Sequence, residues 1–290
     1  MKVRFKKSVH IKGVPYEAGR DYQVDDSLGL WLVSKGIADP ILEEPVLEEA
    51  PEAPPQQVKP VTSYEKLLAL TEGHLAEIYG SYGTGKSRLV HAIAVEAQNI
   101  GKRVLFIDTE GGLLDEHVKQ LQNYWYVGDS IEALEDAVAR AKENRKDYDL
   151  LIVDSVGHPV YVNYVELETM AEKLGAYQRL ALVFRDMVRF ARGERGVDLG
   201  ERRALAIATN HTVSEFARVI KEIPEEEPLG PFGGQIHRVP KVILRSEPVE
   251  LTSSRSTFKL VSFKLRNMPK DVEVARFTIS KSGVEIKWLV

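Results

Sequence analysis

The sequence predicts an α/β protein: a mainly parallel, twisted sheet flanked by helices, extended by antiparallel C-terminal strands, with a small α+β module in front. Three observations predict it. From residue 61 onward, apolar residues at helical spacing alternate with short continuous apolar runs, as expected of buried strands joined by crossover helices. Gly80-Ser81-Tyr82-Gly83-Thr84-Gly85-Lys86-Ser87 fits the phosphate-loop pattern G-x-x-x-x-G-K-[ST]. Beyond Lys241 the pattern turns to alternation, which suggests antiparallel strands extending the sheet.

With 290 residues, 43% of them hydrophobic, the chain can bury a sizeable core. No apolar run reaches membrane-spanning length, and the basic start, Met1 to Lys7, lacks the apolar stretch of a signal peptide. There is no cysteine, which excludes disulfides, thiolate catalysis and cysteine-ligated zinc. A cytoplasmic location is expected. The formal net charge of −4 argues against a general basic coat for nucleic acid. DNA contacts would have to come from local basic positions.

Residues 1–41 read as a small module. Strands are expected at Val3–Phe5, Val9–Ile11 and Asp21–Val24, with turns at Lys12-Gly13 and Ala18-Gly19. Asp25 or Asp26 caps a helix through Leu28, Leu30, Trp31, Leu32 and Val33, stopped at Gly36. So small a piece buries little surface. It suits an adaptor for a protein partner, or a passive extension. Residues 42–60 form an acidic, proline-rich linker expected to stay extended and solvated.

Residues 61–290 make the main domain. His74–Tyr79 reads as a strand entering the phosphate loop, and Arg88–Ile100 as the helix leaving it. Val104–Ile107 is a strand ending in Asp108-Thr109-Glu110-Gly111-Gly112, followed by a helix over Ile131–Asn144. Asp149–Val153 is a strand ending in Asp154-Ser155. Tyr177, Leu180, Ala181, Phe184, Met187, Val188 and Ala191 form a helical core stripe. Ala204–Ala208 is a strand ending in Thr209-Asn210-His211. Antiparallel strands are expected around Val242–Leu244, Phe258–Leu265, Val274–Ile279 and Val284–Trp288. In parallel sheets ligands gather at the carboxyl ends of strands, so the polar residues at these strand ends should fall near the nucleotide loop.

The loop glycines let the backbone curl so that N–H groups point at phosphates, while Lys86 adds a point charge and the Ser87 hydroxyl can hold Mg²⁺. Asp154, closing an apolar strand, suits the metal side, or a plain turn position. Glu110 is the candidate for polarising an attacking water, or a turn carboxylate. Asn210 and His211 are placed to sense a γ-phosphate, or to sit as ordinary strand-end residues.

Leu75-Ala-Glu-Ile-Tyr-Gly-Ser-Tyr-Gly-Thr-Gly-Lys-Ser87, Phe106-Ile-Asp-Thr-Glu-Gly111, Leu151-Ile-Val-Asp-Ser155, Ile207-Ala-Thr-Asn210 and Gly233-Gly-Gln235 occur in the order seen in RecA-superfamily recombinases. The chain resembles the archaeal RadA and RadB branch and the RecA-type annealing ATPases of phages. The resemblance covers roughly residues 65–290. It implies a RecA-like core that binds Mg²⁺ and ATP between the subunits of an oligomer, with Glu110 as catalytic carboxylate and Asp154 on the metal. It also implies DNA-stimulated ATP hydrolysis and single-stranded DNA as partner, for annealing or strand pairing in recombination and repair.

Residues 212–234 match the second DNA-binding loop, where Arg218, Lys221, Gly233 and Gly234 would contact DNA. The first such loop is expected near Gly157–Met170, with Tyr161 and Tyr164 as base-stacking or core residues. Phe263-Lys-Leu-Arg-Asn-Met-Pro269 is similar to the segment that offers two basic residues to a neighbouring subunit's nucleotide. Lys264 and Arg266 would then act in trans, and strand alternation puts both on one face, which equally suits a solvated face. Departures from the family are Asn210-His211 in place of Asn-Gln, a first loop without Lys or Arg, and a second loop with more acid than base. The linker also lacks the Phe-x-x-Ala filament segment. An alternative is therefore a nucleotide-gated regulatory or adaptor ATPase with little DNA affinity, acting through a protein partner.

Overall fold

The computed structural model describes residues 1–11, 13–41, 61–166, 169–193, 204–212 and 239–290. The chain divides into two compact units, Met1–Lys59 and Pro60–Val290.

In the first unit, β1 (Lys2–Phe5) lies between β4 (Asp21–Gln23) and β5 (Ala38–Pro40), beside a hairpin of β2 (Val9–Ile11) and β3 (Val14–Tyr16). Strands β3 and β5 are additions to the sequence-based expectation. Asp25 caps α1 (Asp26–Ser34), accepting from Leu28 N at 2.9 Å. Val3, Phe5, Leu32 and Ala38 form the small core, and Tyr16 stacks on Phe5 with ring centroids 4.7 Å apart.

The second unit begins with α2 (Ser63–Thr71), entered through a capping box between Thr62 and Glu65. Then follow β6 (Leu75–Tyr79), α3 (Lys86–Asn99), β7 (Val104–Asp108), α4 (Asp115–Val118), β8 (Asn123–Tyr126), α5 (Ile131–Glu143) and β9 (Leu150–Asp154). The chain continues through α6 (Gly157–Glu166), α7 (Met170–Arg192), β10 (Leu205–Asn210), β11 (Val242–Leu251), β12 (Arg255–Lys264), β13 (Glu273–Ser280) and β14 (Gly283–Trp288). The sheet order is β14-β13-β12-β11-β6-β10-β9-β7-β8. Every neighbouring pair from β11 to β8 is parallel, and β11 to β14 pair antiparallel.

Strands buried on both faces explain the continuous apolar runs. Ile78, Phe106, Ile152 and Ile207 face the side covered by α2 and α3, where Leu89, Val90, Ile93, Ala94 and Ala97 repeat at helical spacing. Leu75, Ile107, Val153 and Ala206 face the other side, against Leu134 and Val138 of α5 and Leu180, Phe184, Met187 and Phe190 of α7. The side chain of Tyr177, from the expected stripe, lies outside the described residues.

Three expectations are corrected. β11 is parallel to β6, with Val242 opposite Ala76, so the antiparallel part begins one strand later than the alternation suggested. Residues 157–166, expected as a DNA-binding loop, are the helix α6; Pro159 falls in its first turn, where a missing N–H costs nothing. Arg266 is not on the β12 face shared by Lys264. The strand ends at Lys264, and Leu265 and Met268 bridge across a tight turn with Asn267 at φ +62°.

Candidate active site

The parallel register sets the site. Asp108 is level with Asp154, Asn210 with Tyr79, and Thr209 follows directly on the Ala208–Val153 pair. The carboxyl ends of β6, β7, β9 and β10 thus deliver their polar residues to one edge of the sheet, around the loop Gly80–Ser87.

The loop is held from within and from behind. Lys86, 6% exposed, donates to Gly80 O at 2.8 Å and Ser81 O at 2.9 Å. Thr84 Oγ1 donates to Ser81 O at 2.8 Å, and Ser246 of β11 donates to Thr84 O at 2.8 Å. Gly85 caps α3 at φ +76°, a conformation that L side chains rarely adopt. A Cβ there would stand 2.9 Å from Ile279, 3.0 Å from Phe277 and 3.1 Å from Phe258. The C-terminal strands are therefore a buttress for the phosphate loop. Gly85→Ala combines overpacking with a strained backbone and is expected to cost about 2–4 kcal/mol. The check is thermal unfolding, where a midpoint lowered by roughly 4 °C or more is expected.

Opposite the loop stands a hydrogen-bonded cluster around the half-buried carboxylate of Glu110. Glu110 Oε1 accepts from Ser155 Oγ at 2.6 Å and lies 3.0 Å from His211 Nε2, which is 3.2 Å from the same Ser155 Oγ. Burial alone would raise the Glu110 pKa. The hydrogen bonds from His211 and Ser155, with the charge of His211, outweigh it and bring the value down to about 2. The ring of Tyr82, from the loop, lies over the ring of His211 with centroids 4.4 Å apart. Asp108 is structural, accepting from Glu110 N at 2.9 Å, Gly111 N at 2.8 Å and Tyr124 Oη at 2.8 Å. It fixes the turn that carries Glu110.

Asp154, 4% exposed, accepts hydrogen bonds from Thr209 Oγ1 and from Ser87. Burial lifts its pKa to about 6, against the Thr209 hydrogen bond and with the Glu110 charge adding to the rise. A buried carboxylate whose ionised form is disfavoured, next to a hydroxyl, is a hard-oxygen pair that suits Mg²⁺. Asn210 is fully buried: its Nδ2 donates to Glu77 Oε1 at 2.8 Å and its Oδ1 accepts from His211 N at 2.9 Å.

A cleft of about 720 Å³ flanks α3, lined among others by Arg88, His91, Glu96, His117 and the turn Ser280-Lys281-Ser282. His91 Nε2 lies 3.0 Å from His117 O, and Arg88 Nη1 lies 3.1 Å from His117 Nδ1. Sequence reasoning missed this cleft because its walls come from segments far apart in the chain. It also missed Ser155, whose position right after Asp154 was the available signal.

Lys264 and Arg266 are not part of this cluster. Lys264 Nζ donates to Pro240 O at 2.7 Å, and Arg266 pairs with Glu72 at 2.8 Å. Both partners precede their strands, so the two cations sit toward the amino-terminal edge of the sheet, away from their own chain's phosphate loop. Arg218, Lys221, Gly233 and Gly234 lie outside the described residues. Tyr161 is half-buried on α6, and the side chain of Tyr164 lies outside the described residues.

Residues 75–191 match the family described as an AAA domain. The DNA repair and recombination protein RadB of Methanococcoides burtonii is 27% identical over 220 residues, 73% of this chain and 88% of that protein. The chain has a RecA-type core. RadA of Methanoculleus marisnigri is 31% identical over 90 residues, 28% of either chain, and RadB of Methanothermobacter thermautotrophicus 34% over 95, 28% of this chain and 41% of that one. The chain thus spans less than half the length of these last two relatives. In the RecA-type core, a large mostly parallel sheet places the phosphate loop, Glu110, Asp154 and His211 at one edge. Among the described residues no helix is long and apolar enough to cross a membrane.

Proposed function

We propose that this chain is an ATP-dependent DNA recombination or repair protein, a cytoplasmic ATPase that binds single-stranded DNA and promotes annealing or strand pairing. The observation that carries the reading is the cluster of Glu110, Ser155 and His211 facing the phosphate loop, with Asp154 bonded to Ser87. The names of the RadA and RadB relatives supply the DNA half of the proposal and do not favour the adaptor alternative.

In the proposed reaction the backbone N–H groups of residues 81–86 and the start of α3 receive the phosphates of ATP. Lys86 turns from the Gly80 and Ser81 carbonyls to the β- and γ-phosphates. Ser87 and Asp154 would hold Mg²⁺, which neutralises charge developing on the phosphate oxygens. The cleft beside Arg88 and His117 receives the nucleoside end. Glu110 orients the attacking water; its depressed pKa keeps it ionised and makes it an acceptor that positions rather than a strong base. His211 and Ser155 hold that carboxylate, and Tyr82 links it to the loop through the His211 ring. Lys264 and Arg266 complete a neighbouring subunit's site, which accounts for their distance from their own loop. Arg218, Lys221, Gly233 and Gly234 would touch DNA. A protein partner of residues 1–41 remains part of the proposal.

The test is ATP turnover by the purified protein with and without single-stranded DNA, across a salt series. Stimulation that fades as salt rises is expected, because phosphate contacts release counterions. Turnover without stimulation, and with no salt-dependent DNA binding, would remove the recombinase reading.

A further inference from the structure

The strand leading into the phosphate loop carries a carboxylate at its centre. Glu77 of β6 is 0% exposed, between β10 and β11. Its Oε1 accepts from Asn210 Nδ2 at 2.8 Å, and its Oε2 is buried without a hydrogen-bond partner. Burial of a charge in this way is costly, and an apolar residue would pack there at no such cost. Burial pushes the pKa up to about 7, against the Asn210 hydrogen bond and the charge of Lys264. What the carboxylate contributes, and an apolar residue or an amide cannot, is direction.

An ionised carboxylate only accepts. Facing Glu77, the Asn210 amide must turn its NH₂ toward Oε1, and its Oδ1 is then turned toward the His211 N–H at 2.9 Å. The Asn210 carbonyl meanwhile accepts from Gly80 N, the first residue of the phosphate loop, at 3.3 Å. His211 in turn lies 3.0 Å from Glu110 Oε1. A continuous hydrogen-bonded path therefore runs from Glu77 through Asn210 and His211 to Glu110, with a branch to the loop.

We propose that Glu77 is a positioning residue for hydrolysis: by fixing the polarity of the Asn210 amide it sets the place of His211, and through it that of Glu110. Asn210 then acts through its neighbours rather than on a phosphate. The inference rests on the ATPase reading for its kinetic consequence, but the hydrogen-bond polarity stands independently of it.

The test uses the full chain and four forms: wild type, Glu77→Gln, Asn210→Asp and the double variant. Glutamine keeps the shape of Glu77 but can present either end of its amide, so Asn210 is free to flip and set donor against the His211 donor. Asn210→Asp sets two carboxylates against each other. In the double variant the amide introduced at position 77 donates to one oxygen of the carboxylate introduced at position 210. The other oxygen of that carboxylate accepts from the His211 N–H, and the direction is restored.

On the alkaline side of neutrality, each single variant is expected to lose about tenfold in kcat, the scale of one misdirected hydrogen bond. KM for ATP should stay within about threefold, because the phosphate-binding loop is intact. The double variant should regain most of the loss, a non-additivity that a mere packing role would not produce. Hydrogen exchange at the His211 amide gives a second readout: faster in Glu77→Gln, protected again in the double variant. If wild type turns over ATP and the double variant is no better than the singles, the positioning role is wrong. If wild type shows no turnover but the exchange pattern appears, the ATPase reading falls and the polarity device stands. Unchanged exchange in Glu77→Gln overturns the proposal outright.

Discussion

Glu110→Gln is expected to bind ATP with nearly wild-type affinity and to hydrolyse it about 10²–10⁴-fold more slowly, the range for loss of a positioned acid–base group. The side chain keeps its size, so Ser155 can still donate to the remaining carbonyl oxygen. The amide NH₂, however, replaces an acceptor with a donor where water has to be oriented. Because Glu110 touches Ser155 and His211 rather than the loop backbone, nucleotide binding should hold. Single-turnover hydrolysis with a parallel measurement of ATP binding separates the two effects. Normal hydrolysis by Glu110→Gln would take the catalytic role from this residue and leave it as a turn carboxylate.

Lys86→Ala should be the more severe change for binding. The ammonium group is buried and makes two charge-assisted bonds to Gly80 O and Ser81 O at 2.8 and 2.9 Å. Its loss removes the loop's only side-chain cation and leaves those two carbonyls to water. Turnover should fall by about 10²–10³-fold or more, as when a donor to developing charge is deleted. Here ATP affinity should fall as well, which distinguishes this variant from Glu110→Gln. The measurement is the same pair of assays, and a Lys86→Ala protein that retains ATP affinity would place the phosphates elsewhere.

The strand-end residues were legible because two local signals coincide. Short apolar runs mark strands buried on both faces, and the first polar residue after each run marks its carboxyl end. The place of Asp154 needed nothing more, whereas Glu110 comes two residues after Asp108, the first polar residue of its run, and is carried by the turn that Asp108 holds. Glu77 was invisible to that logic: a charged residue inside a strand reads as a solvated face until the neighbouring strands are known to cover it. Alternation beyond Lys241 could not separate a parallel from an antiparallel neighbour, since side chains alternate identically in both. Arg266 failed for a local reason. The alternation rule assumes that the strand continues, and the turn at Asn267 ends it two residues early. The helix at Gly157–Glu166 was masked by its opening Gly-His-Pro, which looks like a loop although proline is welcome in a first turn.

The placement of Lys264 and Arg266 at the far edge of the sheet has an arithmetical consequence. Under the proposed role of Lys264 and Arg266 in a neighbour's site, the two halves of a site would lie on opposite edges, so one chain could not complete it alone and copies would assemble head to tail. In an open row every subunit but one then owns a complete site; in a closed ring all do. Specific activity at dilution becomes a census of chain ends: it rises with the length of an open row and stays flat once a ring has closed.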